Sequence, residues 1–357
     1  VTSTDRYHRQ ILLPGVGVEG QRRLADSKAL IVGVGALGSA IAEHLVRAGV
    51  ARLTLIDRDI VELTNLQRQS LYAEADLGLP KVEAAAARLA SINSTVALNP
   101  IVADLASASA RRLIESASPD IILDGTDNFD TRYLLNDAAV AMNIPLVLGG
   151  VVATRGTHMV VRPPGPCLRC VFPEPPSPGT EPTCDTAGVL GPAVAVVAAL
   201  QASSALRILL GHQPDPDRLT SLDLWAGEFR RIDITKDEHC PCCVARDFAF
   251  LEGRAGARAV WLCGQNSVQI FPDRAQFDPK DEHDADPRID LQRLAAALAP
   301  HGSVSTTRFM ARVALARELG DDGGPIHMSI FPDGRALVRG VRDPSRARAI
   351  YDRYVGG

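Results

Sequence analysis

The chain has 357 residues, 46% of them hydrophobic and 22% charged, enough for one large α/β domain and a smaller companion. Its net charge of −4 gives no electrostatic case for binding nucleic acid or an anionic membrane surface, so partners must be read from local sites. No apolar run approaches the ~20 residues of a membrane span, the start VTSTDRYHRQ lacks a signal-peptide pattern, and seven cysteines, four of them in two C-x-x-C pairs, suit the reducing cytoplasm.

From Ala29 to about Gly150, short β-rich runs (ALIV, RLTLID, VALNPIV, DIILD, PLVLGG) alternate with helical stretches such as KVEAAAARLASIN and FDTRYLLNDAAVAMN. This rhythm predicts a parallel sheet with crossover helices, an α/β fold that the motifs below make Rossmann-like and nucleotide-binding, with a mostly parallel sheet. PPGPCLRCVFPEPPSPGTEPTCDTAG is so dense in proline that it predicts a long exposed loop with neither helix nor inner strand. GVLGPAVAVVAALQASSALRILLG restores helical spacing, and SLDLW and EFRRIDI give two more strands before HCPCC. The first domain is expected to span residues 1–247. Residues 248–357 predict a small α+β domain ordered β-α-β-β-β-α, from WLCGQNSVQIF through DLQRLAAALAP, FMARVAL, IHMSIF and RALVRGV to DPSRARAIYDRYV. FPDGR carries the Asp-Gly signal of a hairpin turn, and FDPKDEHDADPRID reads as a solvated loop.

Gly33, Gly35 and Gly38 form G-x-G-x-x-G after the first strand, where missing β-carbons let backbone N–H groups and a helix dipole meet a phosphate. Asp57 ends the next strand where a carboxylate binds a ribose, so a nicotinamide dehydrogenase fits equally well at this point. DRDIVELTNLQRQ then gathers Asp57, Asp59, Asn65, Arg68 and Gln69, and GLPK puts Lys81 at a helix start. Two cations with amides suit a triphosphate, because they neutralise charge moving onto departing pyrophosphate. DGTDN places Asp124, Asp127 and Asn128 at a carboxyl-terminal strand edge, where a carboxylate can hold Mg²⁺. Taken singly, Asp57 also fits a turn residue, Arg68 and Lys81 solvated helix charges, and Asp127 an N-cap.

Cys167 and Cys170 pair with Cys240 and Cys243 as four thiolates for a closed tetrahedral zinc site. Cys242 offers a competing C-x-C register, but C-x-x-C recurs at both ends. Cys263 reads as core, and the eight histidines show no ligand spacing.

RYHRQILLPGVGVEGQRRL, GVGALG, the D-x-D…TNLQRQ run, GLPK, DGTDN and the paired C-x-x-C together resemble the ThiF/MoeB/HesA adenylyltransferases, relatives of ubiquitin-activating enzymes, over residues 5 to 247. The resemblance implies an enzyme that uses ATP and Mg²⁺ to adenylate the Gly-Gly carboxylate of a ubiquitin-like sulfur carrier protein. It implies that Asp57 holds the ribose, that Asn65, Arg68, Gln69 and Lys81 face the phosphates, and that Asp127 holds Mg²⁺, with Gly33, Gly35, Ala36, Gly38, Asp59 and Asn128 lining the nucleotide site. Ala36 departs from the family's more usual second glycine. Arg9 matches the arginine that reaches the neighbouring subunit's ATP, which makes a homodimer necessary. Cys184 matches a cysteine able to accept a covalent link during sulfur transfer. The second domain is too short for an appended sulfurtransferase, so sulfur is expected from a separate cysteine desulfurase or sulfurtransferase. The ending Gly356-Gly357 is carrier-like, but it follows a helical pattern and reads as end punctuation. Rival readings are a nicotinamide oxidoreductase, a transfer-RNA-modifying dehydratase and a carrier-binding scaffold. The pathway served (thiamine, molybdopterin, cysteine or transfer-RNA thiolation) is left open.

Overall fold

The computed structural model describes residues 3–176, 187–212, 217–255, 261–262, 267–270, 289–332 and 334–355. Two compact units divide it, Val1–Gly256 and Ala257–Gly357. The sequence pattern set the boundary at Asp247; Phe248, Phe250 and Leu251 are buried in the first unit's core and carry that unit further. Cys184, Cys263, Gly356, Gly357 and most of the FDPKDEHDADPRID stretch lie outside the described residues.

In the first unit, helices α1 (Ser3–Ile11) and α2 (Gly17–Asp26) precede β1 (Lys28–Val32), α3 (Ala36–Ala48), β2 (Arg52–Asp57), α4 (Lys81–Ile92) and β3 (Ala97–Val102). The chain continues through α5 (Ser107–Ala117), β4 (Ile121–Asp124), α6 (Phe129–Met142), β5 (Leu146–Val152), β6 (Arg155–Val161), α7 (Leu168–Val171), a long helix Gly191–Leu209, β7 (Arg218–Asp223) and β8 (Glu228–Asp233). The sheet order is β3-β2-β1-β4-β5-β6-β7-β8; the first five strands run parallel and the last three join antiparallel. The chain winds outward from β1 to β3, then returns to lay β4 on the other side of β1. Ligands bind at such a reversal point, outside the carboxyl ends of the strands.

Strand alternation builds two cores, one on each face. Ile31, Leu53, Leu55, Leu123 and Val147 face Ile41, Leu45, Val82, Leu89, Val194 and Val197 on α3, α4 and the long helix. Leu30, Val32, Ile56, Ile122 and Leu148 face Leu113, Ile114, Tyr133 and Leu135 on α5 and α6, together with Cys167 and Cys240. Both faces are covered, as a parallel sheet requires.

Three features correct the sequence pattern. The proline-rich stretch contains a helical turn, Leu168–Val171, because Cys167 opens it and no proline falls inside it. Strand β6 is additional; RGTHMVV begins too polar to signal a strand, yet it pairs with β5 from Leu146↔Val161 to Val152↔Arg155. The helix Gly191–Leu209 is long and apolar enough to cross a membrane by length and composition, contrary to the expectation that no such run exists. Its Ala193, Val194, Val197, Ala198, Gln201, Ala202 and Ala205 are buried, and a β-carbon on Gly156 of β6 would lie 2.4 Å from Val197. It is a core helix packed on the sheet.

In the second unit, β9 (Trp261–Leu262), β10 (Ser267–Ile270), β11 (Gly302–Thr306), β12 (Ala311–Leu319), β13 (Pro325–Ile330) and β14 (Ala336–Arg339) form an antiparallel sheet ordered β11-β12-β13-β14-β10-β9. Val268, Val313, Leu315, Met328, Ile330 and Val338 pack with Leu298, Ala347, Ile350 and Tyr351 from helices Leu291–Leu298 and Pro344–Tyr354. WLCGQNSVQIF, expected as one strand, forms two. The GSVST strand was hidden by its polarity. β13 and β14 pair antiparallel as the FPDGR hairpin signal requires, with Asp333 of that signal outside the described residues.

Helix α1 is tied to the amino-terminal edge of the large sheet. Buried Asn93 donates to the Tyr7 hydroxyl at 2.8 Å and to Val46 O at 2.9 Å, and Gln10 donates to Ala48 O at 3.0 Å. Asn93→Ala leaves two buried acceptors without their donor and is expected to lower stability by about 1–3 kcal/mol in chemical denaturation.

Candidate functional site

The site forms where β1 and β4 separate. Gly33 has φ 81, and a β-carbon there would lie 2.7 Å from the Gly125 carbonyl carbon. A β-carbon on Gly38 would lie 1.8 Å from Gly33 O, and one on Gly125 would lie 2.2 Å from the same atom. These three glycines interlock the first turn with DGTDN. Gly35 differs: the nearest atom to its would-be β-carbon is Gln69 Nε2, at 3.8 Å. The space over Gly35 and the start of α3 is thus open, the cradle a phosphate needs. Ala36 opens α3 beside it.

Around this cradle the D-x-D run is folded inward. Asp57 accepts from Val34 N at 2.6 Å and from Asp59 N at 2.8 Å, and burial raises its carboxyl above the usual range. Lys81 is nearly buried and pairs with Asp59 at 3.0 Å. Burial alone would lower its ammonium; Asp59 and Asp57 outweigh that and hold it at about 12, so it stays charged. Lys81 is therefore no solvated helix charge. Asn65 accepts from Glu62 N at 3.0 Å within the turn Leu63–Asn65. Gln69 is buried, and among the described residues its Oε1 has no hydrogen-bond partner, so it is an acceptor available to a ligand. Half-buried Arg68 folds back to donate to Thr64 O at 3.0 Å.

On the other wall, Asn128 caps α6, its Oδ1 accepting from Thr131 N at 2.7 Å. The cap is Asn128, not Asp127. Exposed Asp127 lies free of that duty, close enough to Lys81 and Arg58 for its charge to favour their charged forms. Arg9 is exposed on α1, whose contacts lie along the opposite edge of the sheet, and is not brought to this turn.

Several residues of this region carried no sequence signal of their own. Half-buried Arg58, which lies between the two D-x-D carboxylates in sequence, pairs with Asp104 at 3.1 Å. The Tyr72 hydroxyl donates to Val34 O at 2.6 Å. Arg132, four residues past the Asn128 cap and hence on the same helix face, pairs with buried Asp124 at 2.8 Å.

The cysteines meet on the face covered by α6. Cys167 and Cys240 sulfurs are 3.6 Å apart, Cys170 and Cys243 sulfurs 3.4 Å, and all four lie within 4.8 Å of one another. Ligands about 2.3 Å from a tetrahedral Zn²⁺ stand roughly 3.8 Å apart, so the set fits zinc in chemistry and spacing. Cys242 lies beside Cys167 but is not among the four sulfurs that converge; its own sulfur accepts from Asn136 Nδ2 at 3.3 Å. The C-x-x-C register is the one the structure builds.

Gly38→Ala forces the two turns apart and is expected to cost several degrees more in thermal midpoint than Gly35→Ala, whereas Gly35→Ala weakens ATP binding by filling the cradle. Serine at Cys167, Cys170, Cys240 or Cys243 is expected to release one zinc per chain and lower the midpoint, while Cys242→Ser keeps the metal; elemental analysis with thermal melting checks both.

Comparison with known proteins agrees with the geometry. A model of the ThiF family matches residues 7–242. The chain is 41% identical over 358 residues to the sulfur carrier protein ThiS adenylyltransferase of Bacillus subtilis, covering 99% of this chain and 100% of that one. It is 42% identical over 246 residues to the sulfur carrier protein adenylyltransferase of Thermus thermophilus, covering 67% of this chain and 90% of that one. The crystal structure of E. coli MccB with ATP superposes with a TM-score of 0.57 at 21% identity, over 67% of this chain and 74% of that one, a likeness of fold. With the glycine interlock, the D-x-D run and the paired cysteines in place, the chain belongs to the ThiF family.

Proposed function

We propose that this chain is an ATP-dependent adenylyltransferase that activates the carboxyl-terminal glycine of a ubiquitin-like sulfur carrier protein. The observation that carries this reading is the convergence, at one strand-order reversal, of an open glycine cradle, the unpartnered Gln69 Oε1 and the buried ammonium of Lys81. In the reaction, a carrier carboxylate oxygen attacks the α-phosphorus of ATP. An O–P bond forms, the bond from that phosphorus to the bridging oxygen breaks, and its electron pair leaves with pyrophosphate.

Asp57 is anchored by two backbone N–H groups where a ribose would sit. Asn65, Gln69 and Lys81 would face the phosphates, joined by Arg68 once it leaves Thr64 O, the cations meeting charge as it moves toward pyrophosphate. Asp127, with Asn128 beside it, would hold Mg²⁺, which would supply charge neutralisation for the phosphates. A nicotinamide enzyme leaves Lys81, Arg68 and the cysteine cluster without work.

Arg9 serves the partner subunit's nucleotide in a homodimer; its placement away from its own glycine turn supports this. Zinc at Cys167, Cys170, Cys240 and Cys243 holds two distant chain segments together and takes no part in the chemistry. Cys184 would act only after adenylation, whose nucleophile is the carrier's carboxylate. Sulfur comes from a separate desulfurase or sulfurtransferase.

Pyrophosphate exchange with a Gly-Gly carrier tests the assignment. Asp127→Ala is expected to lose about 10²-fold or more. Arg9→Ala is expected to be inactive alone; mixed equally with Asp127→Ala under subunit exchange, it should regain up to about a quarter of wild-type activity, since half the dimers then hold one intact site. Full exchange by Asp127→Ala contradicts the site, and an active Arg9→Ala contradicts the shared one.

A further inference from the structure

Arg132 lies one turn into α6. Its Nε donates to Asp124 Oδ2 at 2.8 Å, and its Nη2 donates to Gly149 O at 2.8 Å and to Thr126 O at 3.3 Å. Asp124 is fully buried; its Oδ1 accepts from Thr126 N at 2.9 Å and from Thr126 Oγ1 at 2.5 Å. Gln201 of the long helix donates to Asp124 O at 2.8 Å. A β-carbon on Gly150 would lie 3.2 Å from Arg132 Nη1, so the end of β5 is bare where the guanidinium crosses it.

The segment between β4 and α6 is therefore gripped at both ends. Asp124 and Thr126 are bound to Arg132 at one end, and the Asn128 cap fixes the other. Asp127 stands between the two grips, exposed. We propose that Arg132 is the positioning residue of this segment: by binding the Asp124 carboxylate and the Thr126 and Gly149 carbonyls together, it sets the direction in which Asp127 offers its carboxylate to a divalent cation. This rests on the reading of Asp127 as the metal-holding residue. Charge alone does not account for the arrangement. A lysine would neutralise Asp124 as well, but a point charge cannot make three directed bonds in one plane.

Arg132→Lys separates the two roles, because it keeps the cation beside buried Asp124 and loses the fork. Thr126→Val is the second variant; it removes only the hydroxyl bond to Asp124 and leaves the ion pair intact. Each full-length protein is titrated calorimetrically with ATP, once in Mg²⁺ and once in EDTA. The wild type is expected to bind ATP in both and more tightly with Mg²⁺. Arg132→Lys is expected to keep its affinity in EDTA within about twofold and to lose about tenfold of the gain that Mg²⁺ provides, the scale typical of residues that orient metal ligands. Thr126→Val should lose part of the same gain. If Arg132→Lys, or Thr126→Val should the lysine variant not fold, retains the whole Mg²⁺ gain, the proposal is overturned. A wild type that binds ATP without any Mg²⁺ gain also overturns it but leaves the nucleotide site standing. A wild type that binds no ATP overturns the functional reading itself.

Discussion

Everything at this site depends on the absence of three β-carbons. Gly33 O lies where the side chains of residues 38 and 125 would begin, so the first turn, the start of α3 and the segment after β4 approach one another only because all three positions are glycine. The approach brings two strand ends of the reversal point into one wall, with helix α3 pointing its amino terminus into the gap. Gly35 is free of that contact, with nothing nearer to its would-be β-carbon than Gln69 Nε2 at 3.8 Å. One set of glycines builds the frame, and the other leaves the room.

Charge is then arranged on this frame under the constraint of burial. A buried ammonium is costly unless compensated, and Lys81 is compensated by Asp59, by Asp57 and at longer range by Asp127. Asp57 is itself clamped by the turn it supports, through Val34 N. The cations and carboxylates thus form one connected group, reaching through Arg58 to Asp104. On the proposed reading, preorganisation of this kind would let charge move on a bound triphosphate without the site having to rearrange. On the opposite face of the sheet, α6 carries Asn128 and Arg132 toward the nucleotide wall and Asn136 toward the cysteine cluster, so a single helix supports both centres.

The parallel half of the sheet was legible because its strands are short apolar runs separated by long helical stretches. The antiparallel half was less so. Strand β6 opens with Arg-Gly-Thr-His, and GSVST is polar, because an edge or half-covered strand needs apolar residues on one face at most. The turn Leu168–Val171 escaped notice since proline density around it outweighed four helix-compatible residues. Among site residues, those whose type and spacing carry the chemistry (Gly33, Asp57, Lys81, Asp127, the C-x-x-C cysteines) could be named from the sequence. Arg58, Arg132 and Gln201 could not, because their partners Asp104, Gly149 and Asp124 become neighbours only once the sheet has formed. Cys242 shows the same limit: adjacency in sequence to Cys240 and Cys243 suggested an alternative pairing, and only the convergence of the Cys167, Cys170, Cys240 and Cys243 sulfurs in the fold removes it.

The central claim is that a carrier carboxylate oxygen becomes bonded to the α-phosphorus at this cradle. Oxygen transfer tests it most directly. A carrier whose terminal carboxylate is labelled with ¹⁸O is incubated with the full-length protein, ATP and Mg²⁺, and the products are examined by mass spectrometry after the adenylate is cleaved at its carbonyl carbon. The account predicts that the released AMP carries one carrier-derived ¹⁸O and that pyrophosphate carries none. Label in pyrophosphate or phosphate, or AMP formed without label, would contradict it.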